Sequence, residues 1–254
     1  MLLIVIAAVL PALVLVYFIF RKDKYQKEPA GQLWKGFGFG ALSALASTLI
    51  SMPLMLMGLY SLEPTTVGGN IRLAVFGAAI PEELAKFFFL WLLLRRNRYF
   101  DEYVDGIVYA VCVGMGFAAL ENIEYLFTYY ENWISVGTTR ALFTIPGHFF
   151  FAVMMGYFYS KAAFGNPAER KRNITLALVV PIAMHAAFDA ILMVSNAVGA
   201  VGSAAVLFLG LFFFMAFKSK KRFEEHLATD ATRFEEPVVL PDDETQIDDT
   251  TREA

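Results

Sequence analysis

Residues 77–94 read GAAIPEELAKFFFLWLLL, and Arg95, Arg96 and Arg98 follow at once. From Phe87 to Leu94 the run is apolar on every side, so as a helix it has no face left for water. At about 1.5 Å per residue the stretch is roughly 27 Å long, close to the ~30 Å of a bilayer core. It reads as a membrane-spanning helix with cations at one end. The three ionisable residues near its middle, Glu82, Glu83 and Lys86, then need a reason to be there.

Comparable runs recur along the chain. Spans are expected at about 2–20, 33–60, 71–94, 104–130, 139–163, 173–197 and 200–217. The composition agrees: 57% of the 254 residues are hydrophobic, 25 are Phe, and 18% are charged, against about a quarter charged in a soluble domain. The fold class expected is all-α, a polytopic membrane helix bundle of about seven helices in the cell membrane.

Loop charges set the expected orientation. Residues 21–32 hold Arg21, Lys22, Lys24 and Lys27, while 61–70 hold no Lys or Arg. The three Arg of 95–98 follow, then a loop with only Arg140. Lys161, Arg170, Lys171 and Arg172 flank the next loop, the turn at 198–199 has none, and Lys218, Lys220, Lys221 and Arg222 close the series. Rich and poor loops alternate, which expects the N-terminus outside and the C-terminus in the cytoplasm. The positive charge follows the first run rather than preceding it, so that run is expected to stay as a helix rather than act as a cleaved signal.

The membrane body is assigned to 1–222. From Phe223 onward there are 11 acidic and 2 basic residues, a net charge of −9; the rest has 19 basic and 13 acidic, +6. The segment 223–254 is expected to be a disordered cytoplasmic tail. Cys112 is the sole cysteine, which excludes a disulfide within the chain and a Cys-based metal cluster. The partner expected from composition is the lipid bilayer, with no nucleic acid.

Four polar sites lie within apolar spans. Lys86 follows Glu82 by four residues and Glu83 by three, so it reaches either on a helix. The two carboxylates point about 100° apart; one would face the chemistry while the other holds Lys86 or a backbone group. In DGIVYAVCVGMGFAALENIEYLF (105–127), Glu121 and Asn122 follow Gly114 and Gly116, which allow close helix approach. In FTIPGHFFFAVMMGYFY (143–159), His148 stands among aromatics. In PIAMHAAFDAILMV (181–194), His185 and Asp189 are four apart and share a face. Counted from the expected span ends, all four sites fall between mid-bilayer and roughly 13 Å below the outer surface. One polar cavity open toward the outer face accounts for them together.

Carboxylates, imidazoles, an amide and an ammonium suit water activation: a Glu as general base and His or Asn donors for an oxyanion. The chain has no GxSG and no YD or GxGD, the signatures of serine and aspartyl intramembrane proteases.

The ordered set EELAK (82–86), FAALEN (117–122), His148 and HAAFD (185–189) resembles the PrsW family of intramembrane proteases, part of a wider group with the CAAX prenyl proteases and bacteriocin-immunity-type proteins. The resemblance covers about residues 25–215. It implies a membrane-embedded peptidase that makes the first extracytoplasmic cut in a single-pass, anti-sigma-factor-like substrate. Glu82, Glu83, His148 and His185 would be catalytic, supported by Lys86, Glu121, Asn122 and Asp189. One Glu would activate water, the His residues and Asn122 would stabilise the oxyanion, and Asp189 would orient His185. No metal is assigned. A zinc enzyme is the nearest alternative, holding the ion through His148, His185 and Glu82 or Glu83, although HExxH is absent. A proton-coupled transporter or a non-catalytic membrane scaffold would place similar residues at this depth, but no inverted repeat of broken helices is visible.

Overall fold

A computed structural model describes residues 1–199 and 201–235. Helix follows helix: α1 (Leu2–Lys22), α2 (Ala30–Leu56), α3 (Val67–Arg72), α4 (Ile80–Leu94), α5 (Tyr103–Thr128), α6 (Trp133–Thr139), α7 (Ile145–Phe164), α8 (Arg170–Val198) and α9 (Val201–Glu235). Among the described residues there is no strand. That is what a bilayer demands, since helices satisfy their backbone groups internally. Five segments are long and apolar enough to cross a membrane: Leu2–Lys22, Ala30–Leu56, Tyr103–Thr128, Tyr130–Phe164 and Pro167–Ser195. The expected span at 71–94 is a helix of changing pitch, α3 and α4 joined by the π-helical Leu73–Ala79. Most of the span expected at 200–217 falls within α9.

α5 is the hub. It packs against α1, α2, α7 and α9 and buries 18 of its residues, from Val104 to Leu126. Its apolar residues circle the whole helix because protein surrounds it. Outer helices turn theirs outward instead: Leu45, Leu49, Phe213 and Phe217 are well exposed, as a lipid-facing surface requires. Glycines let the backbones meet. A Cβ on Gly116 would stand 1.9 Å from the Phe37 carbonyl oxygen, and one on Gly156 2.2 Å from that of Gly106.

The segment from Phe223 departs from the expected disordered tail. α9 continues as helix to Glu235. His226 and Asp230, one turn apart, both face the bundle and are buried. The His226 ring stacks on Tyr157 at 4.4 Å. The Asp230 carboxylate accepts from the amides of Tyr103 and Val104, both at 2.9 Å, capping the free amides at the start of α5. Residues 236–254, the remainder of the expected tail, lie outside the described residues.

Candidate active site

The segments leading into α4 and α7 change pitch just before the site residues they carry. The π-helical Leu73–Ala79 precedes Pro81, Glu82 and Glu83, and the π-helical Arg140–Thr144 precedes Pro146 and His148. A proline has no N–H to give the carbonyl four residues back, so the preceding turn widens rather than close a normal bond. Such π turns recur at functional sites.

Lys86 is the meeting point. Its Nζ lies 2.8 Å from Glu83 Oε1, 3.3 Å from Glu82 Oε2 and 3.2 Å from His148 Nδ1, and 3.8 Å over the Phe117 ring. An ammonium only donates. His148 Nδ1 is therefore the acceptor, and its proton sits on Nε2, which donates to Glu121 Oε2 at 2.9 Å. His185 stands between carboxylates: Nδ1 is 2.9 Å from Glu83 Oε1, while Nε2 is 3.3 Å from Asp189 Oδ2 and 3.9 Å from Glu82 Oε2. Phe151 stacks on its ring at 4.8 Å, and the two imidazoles are 5.3 Å apart. Helices α4, α5, α7 and α8 thus each bring a polar group to one place.

The two glutamates divide as their 100° offset requires. Glu82 lines a cavity of about 310 Å³ together with Glu121, Tyr125, Arg140, His148 and Asp189. Glu83 sits behind the cavity wall with no exposed surface, its Oε1 shared by Lys86 and His185. The cavity extends from the cluster toward the ends of α5 and α8 that carry Tyr125 and Met193, away from the arginine-rich 95–98 loop.

Asn122 does not face this cavity. Its amide donates to the Ala8 carbonyl of α1 at 2.9 Å and its oxygen accepts from Arg140 Nε at 2.6 Å, so it ties Arg140 to α1. Arg140, read from the sequence as a lone loop charge, is buried. It pairs with Glu121 Oε2 at 2.9 Å and lies 3.9 Å over Tyr125. The signal for it was available: Tyr125 follows Glu121 by one turn, and Arg140 is the sole cation in its loop.

The donor set suits a divalent ion. Glu82, Glu83, His148 and His185 each offer a ligand atom, all within 4.8 Å of one another. Glu83 Oε2 is buried without a hydrogen-bond partner, and two imidazoles with carboxylates are a zinc-type set.

Residues 28–217 match the family described as PrsW family intramembrane metalloprotease. The chain belongs to the PrsW family. Protease PrsW of Clostridioides difficile (strain 630) is 35% identical over 189 residues, 74% of this chain and 78% of that protein. Protease PrsW of Bacillus subtilis (strain 168) is 34% identical over 190 residues, 74% and 82% respectively. No solved structure matches the chain. As a PrsW-family member with apolar membrane-length helices, it is a multi-pass cell-membrane protein and an intramembrane protease.

Proposed function

We propose that this PrsW-family protease hydrolyses a peptide bond of a single-pass membrane protein inside the bilayer, with Glu82 as general base. The supporting observation is the unequal position of the two glutamates: Glu82 reaches the cavity, whereas Glu83 is buried behind it. Glu82 takes a proton from a water molecule in the cavity as the water oxygen bonds to the scissile carbonyl carbon. His185, which lines the cavity with its Nε2 between Glu82 and Asp189, donates toward the oxyanion. As the C–N bond breaks, Glu82 returns the proton to the leaving amine. Asp189 and Glu83 orient His185, and Glu121, gripped by Arg140, orients His148.

A zinc ion, when bound, would be held by His148, His185 and Glu83, and would polarise the carbonyl and acidify the water. The reading takes the N-terminus outside and seven spans, from the alternation of loop cations. The cavity then opens outward, which suits a first extracytoplasmic cut in an anti-sigma-factor-like substrate and a role in stress signalling.

The test uses a tagged single-pass substrate and purified protein in detergent, wild type and His185→Ala, with and without a chelator. Cleavage that survives chelation but is lost in the variant supports a glutamate acting without metal. Cleavage lost on chelation and restored by zinc supports the metal-dependent form. Cleavage by His185→Ala at the wild-type rate overturns the site.

A further inference from the structure

At the cation-rich end of the bundle, opposite the polar cavity, lies a second cavity of about 560 Å³. Its rim is basic: Lys35 comes from α2, and Arg95, Arg96 and Arg98 come from the turn after α4. Phe39, Leu92 and Leu93 supply the apolar part of its wall. Among the described residues none of these four cations pairs with a carboxylate. Of the other cations at this end, some find acids: Lys161 and Arg222 pair with Glu225, Arg172 with Glu169, and Lys220 with Glu224. What three of the four have instead is aromatic support. Lys35 lies over Phe39, Arg95 over Trp91 and Arg98 over Tyr99, which holds the heads in place without neutralising them.

The cavity's depth is marked independently. Trp34, next to Lys35 on α2, and Trp91, one turn before Arg95 on α4, are 61% and 41% exposed, as expected of indoles at the headgroup level of a bilayer. A ligand there meets unneutralised cations on the water side and aromatic and aliphatic carbon on the membrane side. We infer that this cavity is a binding site for an anionic phospholipid, with the headgroup phosphate among Lys35, Arg95 and Arg96 and the proximal acyl carbons against Phe39 and Leu93. A soluble anion would use only the rim, and a zwitterionic lipid would bring its own cation to the rim. Basic pockets between membrane helices are suited to this ligand class. The bound lipid would tie α2 to the end of α4, the helix that carries Glu82 and Glu83.

The experiment measures lipid binding to the full-length protein in a neutral detergent, by native mass spectrometry and thermal unfolding. Phosphatidylglycerol and phosphatidylcholine are added at equal mole fraction. Phosphatidylglycerol is expected to be retained and to raise the melting temperature, and phosphatidylcholine is not. Lys35→Gln/Arg95→Gln/Arg96→Gln should weaken phosphatidylglycerol binding by about fivefold per cation removed. The charge-matched control Lys218→Gln/Lys220→Gln/Lys221→Gln should bind as wild type does. Unchanged melting of both variants without lipid checks that they fold. Equal losses in the two variants would reduce the effect to diffuse charge and overturn the site. So would an equal effect of phosphatidylcholine, or a shift reproduced by soluble glycerol phosphate. An effect seen only after deletion of the acidic residues 242–254 would assign the cavity to the chain's own tail and likewise overturn the lipid site.

Discussion

Replacing Arg140 with Ala would strand the Glu121 carboxylate. Arg140 binds Glu121 at 2.9 Å and Asn122 at 2.6 Å, and its side chain is 9% exposed against 18% for Glu121. Removing one partner of a buried ion pair costs about 3–5 kcal/mol, chiefly because the other charge stays buried. Here the low end applies, about 3 kcal/mol, since Glu121 keeps His148 at 2.9 Å and some contact with water. At roughly 2–4 °C per kcal/mol for a chain of this size, the melting temperature should fall by about 6–12 °C. Breaking the exposed Arg172–Glu169 pair with Arg172→Ala should cost under about 1 kcal/mol. Glu121→Gln removes the stranded charge, so Arg140→Ala/Glu121→Gln should recover much of the loss. The assay is thermal unfolding of the four variants and wild type in one detergent. If Arg140→Ala melts no lower than Arg172→Ala, or Glu121→Gln gives no recovery, Arg140 is not the counter-charge described.

Gly116→Ala should lower the melting temperature by about 2–12 °C, from an overpacking cost of roughly 1–3 kcal/mol, because the new Cβ meets the Phe37 carbonyl. Gly38→Ala, with nothing within 4 Å, should be neutral or slightly stabilising; equal effects would refute the α2–α5 contact. Stability should also fall as pH rises toward neutrality. Burial pushes Asp23 from 3.8 up to about 6, and Glu28 and Glu102 from 4.5 up to about 7. Lys27 opposes the rise at Asp23 and the Tyr109 hydroxyl that at Glu28, while Asp230 and Asp101 add to the repulsion. The folded chain therefore holds protons that the unfolded chain releases between about pH 4 and 7. This stabilisation is complete below about pH 4 and lost as pH passes 6 to 7. Melting measured from pH 4.5 to 8 should decline, and Glu28→Gln/Glu102→Gln should flatten the decline; a curve that rises with pH would contradict it.

The polar residues inside apolar runs carried most of what the sequence disclosed. Glu82, Glu83 and Lys86 at helical spacing, and His185 with Asp189 one turn apart, could be joined by depth alone, since membrane helices run nearly parallel. The 100° offset within the Glu pair foreshadowed one facing the cavity and one turned away, but not which, because that depends on how α4 rotates against α8. The partner of Asn122 was hidden for the same reason: its neighbour on α1 is more than a hundred residues distant, so no local pattern connects it to the Ala8 carbonyl. The helix beyond Phe223 was hidden by composition. His226 and Asp230 share a face, but the acidity around them reads as a solvated tail until Tyr157 and the start of α5 are seen to receive that face. The widened turns before Pro81 and Pro146 left only the prolines as a trace, and Pro11 and Pro53 lie in ordinary helix.

Turnover of a single-pass substrate by Glu82→Gln and Glu83→Gln, beside the melting temperature of each, tests the division of labour between the two glutamates. Glu82→Gln is expected to lose cleavage by about 10²–10⁴-fold, the worth of a general base, while its melting temperature changes little because Lys86 keeps Glu83. Glu83→Gln should lose both cleavage and about 3–5 kcal/mol of stability, since it breaks buried contacts to Lys86 and His185. Wild-type turnover by Glu82→Gln would rule out Glu82 as the general base.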